Sequence, residues 1–105
     1  MAKRITRLTG EEAKHYLCDC GSEQCFWVNN GPIVKNLDEL AVAMKGITDE
    51  QFTHHVNGER NDFSKWVAEV IGDRELAKAL AKARTKTGAA KSTELRLRAL
   101  KKTAS

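Results

Sequence analysis

The sequence predicts a mainly α-helical domain that carries one short β-hairpin and ends in a basic helical extension. Three observations lead there. Helix-capping residues recur just before short segments whose apolar positions follow a 3.6-residue period. One aromatic stretch, "CFWVNNGPIVK", has the composition and the turn residues of a strand pair. Positive charge gathers at the C-terminal end: residues 84–105 carry Arg84, Lys86, Lys91, Arg96, Arg98, Lys101 and Lys102 against Glu94 alone, a net +6. Residues 1–83 hold eleven bases and thirteen acids, a net −2.

The first helix is expected over residues 10–17. "TGEEAKHYL" places Glu12 three residues after Thr9, the spacing of a capping box. "CDCGSEQC" breaks that helix with Gly21 and Ser22. Phe26, Trp27 and Val28 then favour a strand, "NNGP" supplies residues that tolerate positive φ, and Ile33 and Val34 resume the apolar run. An isolated two-stranded ribbon is marginal, so this one must lie on helices.

Asn36 is placed to cap "LDELAVAMK", where Leu37, Leu40, Ala41 and Met44 fall at i, i+3, i+4 and i+7 before Gly46. Thr48 caps "DEQFTHHV", with Asp49 and Glu50 in the first turn, where the helix dipole favours acids. After the "NGERN" break, Asn61 or Asp62 caps "DFSKWVAEVI". Phe63, Trp66, Val67, Val70 and Ile71 form its apolar stripe, the clearest in the chain. Gly72 stops that helix, and Asp73 caps "RELAKALAKA", with Leu76, Ala77 and Leu80 on one face. Beyond "TKTG" comes a weakly amphipathic segment, "STELRLRALKK". The expected organisation is a compact helical domain over 1–83 and a basic extension over 84–105.

Bulk properties narrow the class. A chain of 105 residues with 41% hydrophobic side chains builds one modest core. A charged fraction of 30% and a mean hydropathy of −0.51 fit a protein that stays out of membranes. No apolar run approaches the ~18–20 residues that cross a bilayer. "MAKRITRLTGEE" also lacks the layout of a signal peptide, so the expected location is cytoplasmic. Three cysteines, an odd number, argue for reduced thiols or a metal site over a closed disulfide framework.

Three places could carry chemistry. Cys18, Cys20 and Cys25, with His15 three residues earlier, offer four zinc-compatible ligands within eleven residues. The spacing is not that of a common finger or ribbon, and a Cys20–Cys25 disulfide or plain reduced thiols are the competing readings. In "HHVNGERNDFSKW", His54 or His55 could act as a general base or a metal ligand, oriented by Asp62 or Asn57. The alternative is a structural corner, in which His55 bonds a loop carbonyl, Trp66 is core and Asn61 or Asp62 is a cap. The structural reading leads, because the stretch names no nucleophile and adjacent histidines diverge by about 100° on a helix. The third place is the basic segment itself. Arg84, Lys86, Lys91, Arg96, Arg98, Lys101 and Lys102 form a phosphate-neutralising set suited to nucleic acid, a nucleoprotein or another polyanion.

The span from "CFWVNNGPIVKNLDELAVAM" through "FTHHVNGERNDFSKWVAEVIGDRELAKAL", about residues 26–80, resembles a small family of bacterial and archaeal domains of unknown function. Its marks are an aromatic strand, a Gly-containing turn, a leucine-rich helix and an F-x-x-H-V-N … N-D-F-x-x-W core. The resemblance implies a mainly helical fold and brings no established activity, so it assigns no catalytic residue. The cysteine segment and the basic end lie outside it.

The function expected on these grounds is a non-enzymatic cytoplasmic binding module whose basic end contacts nucleic acid or another polyanion. A small metal- or histidine-dependent enzyme and an accessory domain docking on a protein partner are the alternatives.

Overall fold

Local capping chemistry sets nearly every element boundary in the computed structural model, which describes residues 8–58 and 60–105. The polar stretch 1–7 and Glu59 of the "NGERN" break lie outside the described residues. Helix α1 spans Gly10–Leu17. The Thr9 hydroxyl accepts the Glu12 N–H while the Glu12 carboxylate accepts the Thr9 N–H, the expected reciprocal box. A short 3₁₀ turn, Ser22–Gln24, leads into strands β1 (Phe26–Trp27) and β2 (Ile33–Val34). The strands are antiparallel, with Phe26 opposite Val34 and Trp27 opposite Ile33.

In the connecting turn it is Asn30 that takes positive φ, at 54°. Gly31 is needed for a different reason. A Cβ there would come within 2.9 Å of both the Gln51 amide and the Val28 side chain.

Asn36 caps α2 (Leu37–Gly46), and Thr48 with Gln51 forms a second capping box on α3 (Asp49–His55). Asn61, rather than Asp62, caps α4 (Asp62–Trp66) through the Ser64 N–H. Each such cap contributes about 1 kcal/mol.

The amphipathic stripe expected to continue as one α-helix changes period instead. Residues Val67–Ile71 open into a π turn, and the Gly72 N–H closes it onto the Val67 carbonyl at 2.7 Å. Gly72 sits at φ 93°, a left-handed conformation that glycine adopts without a Cβ clash. Asp73 then caps α5 (Arg74–Lys82), and Thr85 caps α6 (Lys86–Ala104).

Helix α6 starts earlier than the "STELRLRALKK" segment, because the Thr85 hydroxyl receives the Gly88 N–H at 3.0 Å. The basic C-terminal helix is thus present as expected, and the core does not divide at residue 83. Ala89, Thr93, Leu97 and Leu100 of α6 are buried, and α6 lies against α1, α2 and α5. The Thr93 hydroxyl turns back to the Ala89 carbonyl, so no polar group is stranded on that inner face.

The other half of the core is aromatic. Phe26 stacks on Phe63 with ring centroids 4.7 Å apart and meets Trp66 edge-on at 6.0 Å. Phe52 stacks on the same Phe63 at 5.9 Å. The marginal ribbon is held this way: its inner residues Phe26 and Val34 are buried against the helices while Trp27 and Ile33 face outward.

Candidate functional site

Polar side chains from all three sequence-predicted places have definite surroundings, and these sort them. His55 lies at the end of α3 with 7% of its surface exposed. Its Nε2 accepts the Asn29 N–H at 3.0 Å, and its Nδ1 lies 2.9 Å from the Asp62 carboxylate. An acceptor at Nε2 requires the proton on Nδ1, so one neutral tautomer satisfies both bonds. The ring therefore ties the hairpin turn to the start of α4. Sequence reasoning expected a loop carbonyl as its partner; the partners are a carboxylate and an amide.

One turn earlier on the same helix face, the Gln51 amide donates to the Asn29 and Asn30 carbonyls at 2.9 and 3.0 Å. The rest of the corner is equally occupied. The Asn61 amide donates to the Leu80 carbonyl, the Ser64 hydroxyl to the Ala77 carbonyl, and the Arg60 guanidinium to the His54 carbonyl. The Trp66 indole N–H reaches the Gln24 carbonyl at 2.7 Å, pinning the 3₁₀ turn to α4. With both ring nitrogens engaged, His55 has no lone pair to offer a substrate proton. His54, its exposed neighbour, has its ring turned 84° from that of His55.

The four expected zinc ligands are not brought together. The Cys18 thiol donates to the Lys14 carbonyl at 3.2 Å, a backbond along its own helix end. Cys20 and Cys25 do meet, with sulfurs 3.9 Å apart. Burial first, and then the Cys25 thiol beside it, pushes the Cys20 thiol above its ordinary value. Among the described residues no group of three or more His, Cys, Asp or Glu side chains is placed to hold a metal ion. The reason is local: Cys18 belongs to the α1 terminus and the other two to the following turn.

The seven bases of the C-terminal segment fall into two sets. Arg96 is committed inward. Its Nε and Nη2 donate to both oxygens of Asp73 at 2.7 and 2.8 Å, and Asp73 is almost wholly buried. The Lys86 ammonium donates to the Ile47 carbonyl at 2.6 Å, and Lys101 pairs with Asp38 at 2.7 Å. Arg84, Lys91, Arg98 and Lys102 are exposed and have no side-chain hydrogen bond or ion pair among the described residues. Lys91, Arg98 and Lys102 are seven and four residues apart, which places them on one helix face, with the exposed Leu95 between them. Lys91 to Lys102 spans about 16 Å at 1.5 Å per residue.

One surface was not assembled from the sequence. Ile33 and Val42 line a cleft of about 620 Å³ between the ribbon and α2. Trp27, opposite Ile33 in the strand register, extends the same apolar surface and is 70% exposed. The alternation of Phe26 and Trp27 was the readable signal that one of the two rings faces outward. That Val42 joins it depends on how α2 is oriented.

No helix among the described residues is long and apolar enough to cross a membrane. Comparison with family models, with curated proteins and with solved structures gives no match.

Proposed function

We propose that the protein is a non-enzymatic cytoplasmic binding module that engages a polyanion, nucleic acid, on the outward face of α6. One observation carries the reading: within a single helix, the bases split into a set held by partners and a set of three aligned, exposed cations with no side-chain partner among the described residues. Unpaired cations in a row keep their full charge for a ligand, and each phosphate they neutralise releases a condensed counterion. Arg84, just ahead of the helix, adds a fourth. Three or four such contacts imply that log Kd rises with log salt with a slope of about 3 to 4.

The experiment is fluorescence anisotropy with mixed-sequence duplex DNA and single-stranded RNA across a salt series. Lys91→Ala, Arg98→Ala and Lys102→Ala should each lower the slope by about 1. An affinity unchanged in the triple variant overturns the reading.

The exposed Trp27, Ile33 and Val42 favour a second reading, docking on a protein partner, since contiguous apolar surface of this kind marks interaction sites. A native-lysate pull-down separates the two. A partner that survives nuclease treatment and is lost with Trp27→Ser supports protein docking; one lost with nuclease and with the α6 triple variant supports nucleic acid.

A further inference from the structure

We propose that Cys20 and Cys25 form a reversible intramolecular disulfide, making the turn between α1 and the ribbon a site of thiol modification. The two residues are separated by Gly21 and the Ser22–Gln24 turn, which folds the chain back through a Gln24 N–H to Gly21 carbonyl bond of 2.8 Å. That fold brings sulfurs five residues apart to 3.9 Å, with the Cys20 thiol directed at Cys25. A disulfide needs about 2.05 Å, so the sulfurs must approach by roughly 1.9 Å.

Both ends of the segment are fastened to the body of the protein. The Cys20 N–H is bonded to the Lys35 carbonyl at 2.8 Å, and the Gln24 carbonyl to the Trp66 indole. The pair is therefore held in register in the folded chain. Cys18 is outside it, bonded to Lys14 of its own helix. Both paired thiols are half-buried rather than sealed, so a small oxidant reaches them.

The oxidant is a low-molecular-weight disulfide, RSSR. Cys25, deprotonated, attacks one sulfur of RSSR and releases RS⁻, which takes up the proton. Cys20, whose thiol burial holds above its ordinary value, then loses its proton to the medium and attacks the Cys25 sulfur of the mixed disulfide, expelling the second RS⁻. Two thiols are oxidised, one RSSR is reduced to two RSH, and a dithiol reductant reverses the sequence. In a compartment whose pool keeps thiols reduced, such a pair is open at rest and closes on oxidation.

The test uses the full chain and its Cys18→Ser variant, each exposed to oxidised glutathione, quenched by alkylation and mapped by mass spectrometry. The expected product in both is lighter by two hydrogens, joins the Cys20 and Cys25 peptides, and returns to two alkylatable thiols with dithiothreitol. Cys25→Ser should never give that lighter product. A stable glutathione adduct on Cys20 or Cys25, a link through Cys18, or full alkylation of both thiols after oxidation would each overturn the proposal.

Discussion

The two faces of α6 carry similar side chains and serve opposite ends. On the inner side, Arg96 gives two donors to the buried Asp73 while Ala89, Thr93, Leu97 and Leu100 fill the space against α1 and α2. On the outer side, Lys91, Arg98 and Lys102 are exposed alongside Leu95, with no side-chain hydrogen bond or ion pair among the described residues. A formal charge count treats these cations alike. Their roles separate through helical phase and through which acid is near enough to desolvate with them. A basic segment is thus not a binding site as a whole, because some of its charges are structural.

Breaking the inner pair should have the largest effect. Arg96→Met leaves the Asp73 carboxylate buried without its cation, which costs about 3–5 kcal/mol. Urea unfolding measures it, and a loss under 1 kcal/mol would mean that Asp73 is far better solvated than its burial indicates. Against it stand Lys91→Ala, Arg98→Ala and Lys102→Ala, each expected within about 0.5 kcal/mol of the parent. If those three destabilise as Arg96→Met does, the distinction between the faces collapses.

Next in size is the aromatic half, where the contrast is between a bonded ring and an exposed one. Trp66→Phe keeps most of the packing but leaves the Gln24 carbonyl without its indole donor, a cost of about 1–3 kcal/mol. Trp27→Phe, on the exposed ring, should leave the unfolding midpoint nearly unchanged. Equal effects from the two substitutions would show that the ribbon's outer face is covered.

A smaller difference is expected from Lys101, whose pairing with Asp38 is solvent-exposed. Lys101→Ala should cost about 0–1 kcal/mol and lose its effect in high salt, because exposed pairs are screened. A salt-insensitive loss above 2 kcal/mol would place Lys101 with Arg96.

How much of this was legible depended on the range of the interaction. Thr9, Asn36, Thr48 and Asp73 cap the helices the sequence assigns them, since a cap and its N–H lie within three residues. The fold class followed from those caps and the single aromatic ribbon. The early start of α6 escaped because Gly88 in its first turn looks like a breaker, although near a helix N-terminus it costs little. The inner face of α6 escaped as well, because its first two buried positions are the small Ala89 and the polar Thr93, and only Leu97 and Leu100 are large and apolar. The Asp73–Arg96 pair spans 23 residues and the His55–Asn29 bond 26, and nothing local announces either. At the cysteines, the proximity of Cys20 and Cys25 was readable from their spacing. The separation of Cys18 was not, because it depends on where α1 ends.

The finest probe of the inner face is Tyr16, which lines the same shallow cleft as Asp73 and Arg96. It is the chain's single tyrosine, so phenolate absorbance reports it alone. Burial first, then the carboxylates of Glu12 and Asp73, push its phenol above 10.0, with Arg96 pulling weakly the other way. The folded state thus holds this proton more tightly than the unfolded state does. The resulting stabilisation is complete below pH 10 and is lost as the pH rises through the folded value. Absorbance titration should find the folded midpoint above that of the chain in concentrated urea. Lys102→Ala, on the outer face, should leave it where it is. A folded midpoint at or below the unfolded one would mean that Tyr16 is open to water, and that the inner face of α6 is less closed at this end than at Asp73.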